Sequence, residues 1–476
     1  MQNNLLKKFL SFSLGSWISL LIGLISAPVI TRLFSPKEFG KFSMFTLALN
    51  ISMIFIMFGT DQTFVRFFYE EKEENRKFLL KNSLKIPFFI YSFVVLFAIL
   101  FKDRISFELF NEKNEKAVYL LIIGIFLMLL QRYSVLVLRM KQKGGLYSIL
   151  QVILKLSNFL FLIFFAFFVG RTFNELIYAN VLSLFVVGML ALYFGREIWN
   201  FFKSRKIDLK HSLKDIFLYS YPLLLTSVIT WLFQSFDRVA IKHWNTLSEL
   251  GIYAAAFKII SILSIIQSTF TTFWVPVAYE HYEKDGENKD FFKRMNVIVS
   301  FVMLSVAIGV IVFKDILILL LGKDFSNASY IVPFLIFIPV MYTISETTVI
   351  GINFKKKVKF HILIAVISSA LNIFGNYLLV PKYGGRGAAV STGLSYIVFF
   401  MLRTHLSERY YKVGYDYLKI YFMLFLIASF ALENTFYDMG FGFNFMQGTI
   451  LLFLLFMLNI KYVKYYYSFV REKLKR

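Results

Sequence analysis

SPKEFGKF, residues Ser35 to Phe42, returns 211 residues later as TLSELGIY, Thr246 to Tyr253, keeping Glu38/Glu249, Gly40/Gly251 and an aromatic at Phe42/Tyr253. A second set of matches keeps almost the same spacing of 214: MKQK from Met140 with FKKK from Phe354, Asn158 with Asn372, and Gly170 with Gly384. Chance matches would not share a frame, so the chain reads as a duplication of roughly residues 10–200 and 215–405. Units of this size predict a two-lobed molecule and not a short-period solenoid.

Composition decides the class. With 58% hydrophobic residues, a mean hydropathy of +0.65 and 59 phenylalanines, the apolar surface exceeds what one soluble core could hide. Apolar runs long enough to cross a hydrocarbon layer of ~30 Å as helices recur at 9–30, 42–61, 84–101, 117–138, 146–169, 175–195, 216–238, 251–273, 295–313, 328–350, 360–380, 387–402, 417–433 and 446–467. A barrel of transmembrane strands is excluded, because its segments would alternate apolar and polar residues. The expected fold is an all-α polytopic membrane protein of about 14 transmembrane helices.

Basic residues orient these spans, since Lys and Arg beside membrane segments stay cytosolic. Placing the N-terminus inside puts 35 of them in cytosolic loops and 14 outside, leaving Arg132, Lys155 and Lys258 within spans. Both termini are then expected in the cytosol. Six spans per unit, an even number, give the two units one orientation, so the repeats are parallel and lie about an axis along the membrane normal. The expected domains are a six-helix lobe over 1–200, a second over 201–405, and a two-helix appendage with a basic tail over 406–476. The linker is the basic stretch Gly195 to Lys214. The first apolar run is too long for a cleaved signal peptide and belongs to the repeat.

The net charge of +23 is spread over many short loops that would face anionic headgroups, which argues against nucleic acid as a partner. Without cysteine there is no disulfide, zinc–thiolate site or catalytic thiol. No P-loop, H-E-x-x-H or G-x-S-x-G stands in the chain, and five scattered histidines show no metal-ligand spacing. No cofactor is expected, and no loop is long enough for a soluble catalytic domain.

Ionisable groups inside spans cost about 2.5–3.5 kcal/mol each and usually face a wet cavity or a partner. Polar stripes run along four helices: Gln151, Lys155 and Asn158; Thr226, Thr230, Gln234 and Asp237; Lys258, Ser261, Ser268 and Thr272; Ser369, Asn372 and Asn376. Any one of these residues is explained equally well by an interhelical hydrogen bond; as a set, they point to a shared water-filled cavity. Lys155 lies deepest, roughly 13 Å from the start of its span, and suits an anionic group. Arg132 and Lys258 lie nearer span ends, where snorkelling is the alternative. Asp61, Asp237 and Glu346, also near span ends, are the carboxylates able to carry a coupling proton. For Asp237 an ion pair with its neighbour Arg238 is the competing reading. Pro28, Pro222, Pro276, Pro333 and Pro339 lie in or beside spans and allow bends.

Three stretches carry a family resemblance: LFSPKEFGKFS from Leu33, FDRVAIKHWNTLSELGIYAAAFKI from Phe236, and KKKVKFHILIAVISSALNIFGNYLLVPKYGGRGAAVSTGLSY from Lys355. The chain resembles, over nearly its whole length, the polysaccharide-transport branch of the multidrug/oligosaccharidyl-lipid/polysaccharide exporter superfamily. The resemblance implies a bacterial inner-membrane flippase that carries undecaprenyl-diphosphate-linked O-antigen or capsule repeat units to the outer leaflet by alternating access. It further implies a central cationic cavity, a side portal for the lipid, and a glycan polymerase and chain-length regulator as working partners. A polar glycan and a diphosphate need a sheath, whereas the polyprenyl tail can stay in hydrocarbon. Lys155, with Arg132 or Lys258, is therefore the expected diphosphate contact, and Gln151, Asn158, Gln234 and Asn372 the expected sugar contacts; burial and spacing select these positions, which the family does not fix. A lipid II flippase shares the fold. A drug or cation antiporter of the superfamily more typically has twelve helices and an acidic cavity. A glycan polymerase would need a larger outer loop than residues 102–116.

Overall fold

The computed structural model describes residues 2–200 and 209–474, which are helix and connecting turns with no strand among them. Helix lies under each of the fourteen expected spans, numbered here in chain order. They are α1 (Gln2–Leu33), α2 (Pro36–Met57), α3 (Arg76–Leu100), α4 (Glu115–Met140), α5 (Gly144–Phe168), α6 (Phe173–Trp199) and α7 (Leu213–Trp244). There follow α8 (Leu247–Ile260 and Leu263–Asp285), α9 (Lys289–Val312), α10 (Val332–Leu335 and Phe337–Thr348), α11 and α12 (359–383 and 385–408), α13 (Tyr417–Phe436) and α14 (Phe441–Leu474). Among the described residues, ten helices are long and apolar enough to cross a membrane singly, and twelve when two bent pairs are included. The stretch Lys359–Glu408 carries two of the expected spans, one on each side of Gly384, and α1 adds its apolar stretch Trp17–Leu33.

The chain divides into two compact units, Met1–Leu232 and Phe233–Arg476. The division falls within α7, some thirty residues beyond the expected boundary at 200/201. The unduplicated α13 and α14 belong to the second unit, packing on α9.

Local chemistry starts the helices. Ser35 is extended and accepts from the Glu38 N–H, with Pro36 supplying a ready-made first turn. Thr246 caps α8 in the same way through the Glu249 N–H, 3.2 Å away. Thr172 and Glu175 form a capping box on α6, and Ser212 and Asp215 exchange the equivalent bonds before α7.

Three breaks depart from the expected spans, and a fourth falls where one was expected. α2 stops at Phe58 and Gly59, both left-handed (φ 50° and 79°), and a short helix, Thr60–Phe67, follows. A Cβ on Gly59 would lie 2.7 Å from the Ser220 carbonyl oxygen, so close approach as well as backbone sign demands glycine there. α8 bends by 41° at its break, and the helices spanning 323–348 bend by 52°. Between α11 and α12, where the glycine-rich PKYGGRG suggests a loop, the chain turns back at Gly384 (φ 54°, ψ −132°), which brings Asn372 and Asn376 against Thr392 and Ser391. Pro28 and Pro222, by contrast, lie inside continuous helices.

Packing in the first unit centres on Phe45, Leu49, Phe64, Leu121, Tyr133 and Ile177, and a second cluster in the other unit gathers Trp274, Phe292, Phe354 and Tyr411. Phe89, Phe93, Phe97 and Leu100 of α3 stay exposed. That apolar outer surface suits hydrocarbon, and the closed backbone bonding of helices is what allows it.

Candidate functional site

In the first unit the break after α2 sets Asp61 in the opening turn of the short helix. The Arg132 guanidinium of α4 reaches it, Nη2 to Oδ2 at 2.9 Å and Nε at 3.3 Å. Asp61 is buried, with 10% of its side chain exposed, whereas Arg132 keeps 58%. Around the pair, the Thr60 hydroxyl meets the Tyr133 hydroxyl at 2.7 Å, Tyr133 donates to the Ser83 carbonyl, and Thr63 meets Ser220 at 2.6 Å. These bonds hold the short helix that carries Asp61, and Arg132, the carboxylate's partner, is the accessible member of the pair. Sequence reasoning assigned these two residues separate roles; the fold joins them.

On α5, Lys155 is exposed and makes no hydrogen bond or ion pair among the described residues. Gln151, one turn earlier, is half-buried, and Asn158 leans toward Ser183 of α6 at 3.4 Å. In this unit Arg132 and Lys155 are cations on exposed residues within spans.

The second unit contains a different arrangement. Asp237 of α7 is 1% exposed and accepts from the Tyr253 hydroxyl at 2.6 Å and the Asn376 amide at 2.9 Å. Asn376 also donates to Asn372, whose own amide donates to Thr392, and Ser391 donates to the Asn372 carbonyl at 2.8 Å. The expected pairing of Asp237 with Arg238 is absent: among the described residues no ion pair joins them, and Arg238 stacks over Phe257. The polar stripe of α11 is likewise buried in this network, not laid along a cavity, because its amides are consumed by α7 and α12. Asn376 Oδ1 remains buried without a partner. A carboxylate held by neutral donors, with amide and hydroxyl oxygens around it, can take a proton or a hard monovalent cation. No cluster of three His, Cys, Asp or Glu capable of holding a metal occurs among the described residues.

The Glu346 carboxylate meets Arg403 at 2.8 Å with both side chains 7% exposed. Arg403 also donates to Ser345 and lies against Tyr342 and Phe399. Arg403 lies buried in α12, which runs on to Glu408. Gln234 is exposed one turn before Asp237, and Lys258 is half-buried in the last turn of the first part of α8. Thr226, Thr230, Ser268 and Thr272 return their hydroxyls to carbonyls of their own helices.

The repeated motif has a structural task. Glu38 accepts the first N–H of α6, at Phe173, at 2.7 Å, and Glu249 accepts the Gly385 N–H opening α12 at 3.2 Å.

The family model described as polysaccharide biosynthesis protein matches residues 5–281, more than half of the chain. The chain belongs to this family. It is 22% identical over 390 residues to the probable low-salt glycan biosynthesis flippase Agl15 of Haloferax volcanii, covering 81% of this chain and 79% of that one. It is 26% identical over 270 residues to the capsular polysaccharide biosynthesis protein CapF of Staphylococcus aureus, covering 54% and 66%. Among solved structures, the lipid II flippase MurJ in an inward closed conformation superposes with a TM-score of 0.70 at 16% identity, over 95% of this chain and 99% of that one. An inward-facing multidrug resistance MATE transporter gives 0.61 at 16% identity, over 83% and 96%. These comparisons establish an all-α, multi-pass membrane protein of the polysaccharide biosynthesis protein family, with a fold like that of MurJ and the MATE transporter.

Proposed function

We propose that this family member flips a polyprenyl-diphosphate-linked oligosaccharide, an O-antigen or capsular repeat unit, across the bacterial inner membrane, with both termini in the cytosol. The observation that carries the reading is Lys155, a cation within an apolar span that has no partner among the described residues. A charge in that setting is costly unless an anion meets it, and a diphosphate supplies one. Arg132, accessible and held by Asp61, is the second diphosphate contact. Gln151 and Gln234, which keep polar ends available, serve the sugars. Asp237 is the coupling carboxylate: its neutral donors leave its negative charge to be balanced by a proton or cation that moves with the transport cycle.

The protein works as a transporter and forms no covalent intermediate. Deleting the gene in its host tests this. Loss of surface glycan with accumulation of complete single repeat units on polyprenyl diphosphate is expected. Accumulation of lipid II instead would transfer the reading to peptidoglycan precursor, and normal glycan with altered resistance to cationic drugs would overturn it.

A further inference from the structure

The chain enters α7 through His211 and Ser212, and the short helix Thr60–Phe67 with the turn behind it holds that entrance. The His211 ring lies flat on Phe67, with centroids 3.8 Å apart and planes 4° from parallel. Its Nε2 meets the Glu70 carboxylate at 2.9 Å, and its backbone N–H donates to the buried Glu71 at 3.0 Å. A carboxylate only accepts, so Nε2 carries a proton and Nδ1 is the atom that takes the second one. Nδ1 makes no hydrogen bond among the described residues, and 14% of the side chain is exposed. The charges around the ring come from both sides. Glu70 also pairs with Arg66 of the short helix and, at 3.8 Å, with Lys210; Lys214 and Asp215 stand in the first turn of α7. Burial pushes the Glu70 carboxyl up, but Arg66, His211 and Lys210 together hold it below the usual range, so it remains an anion while an imidazole titrates. Further along α7 the holds are uncharged. Phe217 stacks on Phe58 at 5.2 Å, Tyr219 lies against Phe67 at 5.4 Å, and Ser220 meets Thr63 at 2.6 Å.

We propose that His211 is a pH-sensitive clasp on the entrance of α7. Protonated at Nδ1, it adds a full charge pair with Glu70 to its stack and its hydrogen bonds; neutral, it keeps only the weaker contacts. An imidazole is the side chain that makes this change between about pH 5 and pH 8. Acidification around the entrance therefore tightens the first turn of α7, and alkalinisation frees it, while the uncharged contacts from Phe217 onward hold throughout. The clasp is built entirely from the first unit and depends on no cargo.

Hydrogen–deuterium exchange of the full chain in detergent tests the proposal at about pH 6 and about pH 8, with rates corrected for the intrinsic pH dependence of exchange. The amides of His211, Ser212, Asp215 and Ile216, all hydrogen-bonded, should open about fivefold more readily at the higher pH, the gap between a charge-assisted and a neutral hydrogen bond. Amides 217–224 should be equally protected at both. His211→Gln keeps a neutral donor and should hold the entrance at its high-pH level throughout. Glu70→Gln, which removes the counter-charge, should also abolish the difference, whereas Phe67→Leu should loosen the entrance at both pH values and keep it. Equal protection of the entrance at the two pH values in the unaltered protein overturns the proposal. So does a difference that survives His211→Gln, or one that extends equally over 217–224, which would mean that the whole helix responds.

Discussion

In the first unit Glu38 closes the start of α6, and in the second Glu249 closes the start of α12, at motif positions 211 residues apart. The surroundings differ. Lys41, 4% exposed, joins Glu38 at 3.3 Å and Glu112 at 2.6 Å, whereas Ile252 takes its place after Glu249. The interiors diverge further. Tyr253 gives its hydroxyl to Asp237, but the matching Phe42 has none, and α1 carries no acidic residue where α7 carries Asp237. Asn372 is locked among Thr392, Ser391 and Asn376, while its counterpart Asn158 makes one long bond to Ser183. The two motifs share a clamp, while the interiors differ: accessible cations in the first unit, a buried carboxylate network in the second.

The largest expected effect belongs to the accessible cations. Replacing Lys155 by Ala removes a charge-assisted contact of about 1.5–3 kcal/mol, roughly a ten- to hundredfold loss, read as surface glycan restored to a deletion strain at matched expression. Lys155→Arg, which keeps the charge, should restore most of it. Asp237→Asn comes next. It keeps the shape of the network, so the protein should fold and bind cargo, while the dependence of transport on a proton or sodium gradient should disappear. Asp61→Asn, outside that network, should leave the gradient dependence intact.

Effects on stability separate a buried ion pair from a partly exposed one. Arg403→Ala strands Glu346 and should destabilise the protein by about 3–5 kcal/mol. Arg132→Ala should cost about 1 kcal/mol or less, because its pair is more than half exposed on the cation side. Thermal denaturation in detergent compares the two directly. The smallest contrast lies between the repeated clamps. Glu249→Gln loses about 1 kcal/mol of capping, and Glu38→Gln should exceed it because buried Lys41 loses a counter-ion. Equal losses would mean that Lys41 contributes nothing to the first clamp.

The spans were legible because each is a long apolar run. The break after α2 was not, since Phe58 in a left-handed conformation has no local signature. The turn in PKYGGRG was legible because glycine and proline interrupt helices; the chain turns back at Gly384, where the Asn245 amide holds the Val380 carbonyl at 2.8 Å and Glu249 caps Gly385. The site was legible as a list of polar residues without their partners. Asp61 with Arg132 and Glu346 with Arg403 lie 71 and 57 residues apart, separations that leave no pattern in sequence. The amide stripe of α11 was read as cavity lining because its periodicity is the same whether the facing helix brings water or Asp237.

The specialisation of the two units is tested most directly by binding a soluble polyprenyl-diphosphate analogue, farnesyl diphosphate, to the purified protein by calorimetry. The account predicts that Lys155→Ala weakens binding by roughly tenfold or more, that Lys155→Ala/Arg132→Ala abolishes it, and that Asp237→Asn leaves it within about twofold. Unchanged binding in the double variant, or its loss in Asp237→Asn with the fold intact, would contradict the division of labour between the units.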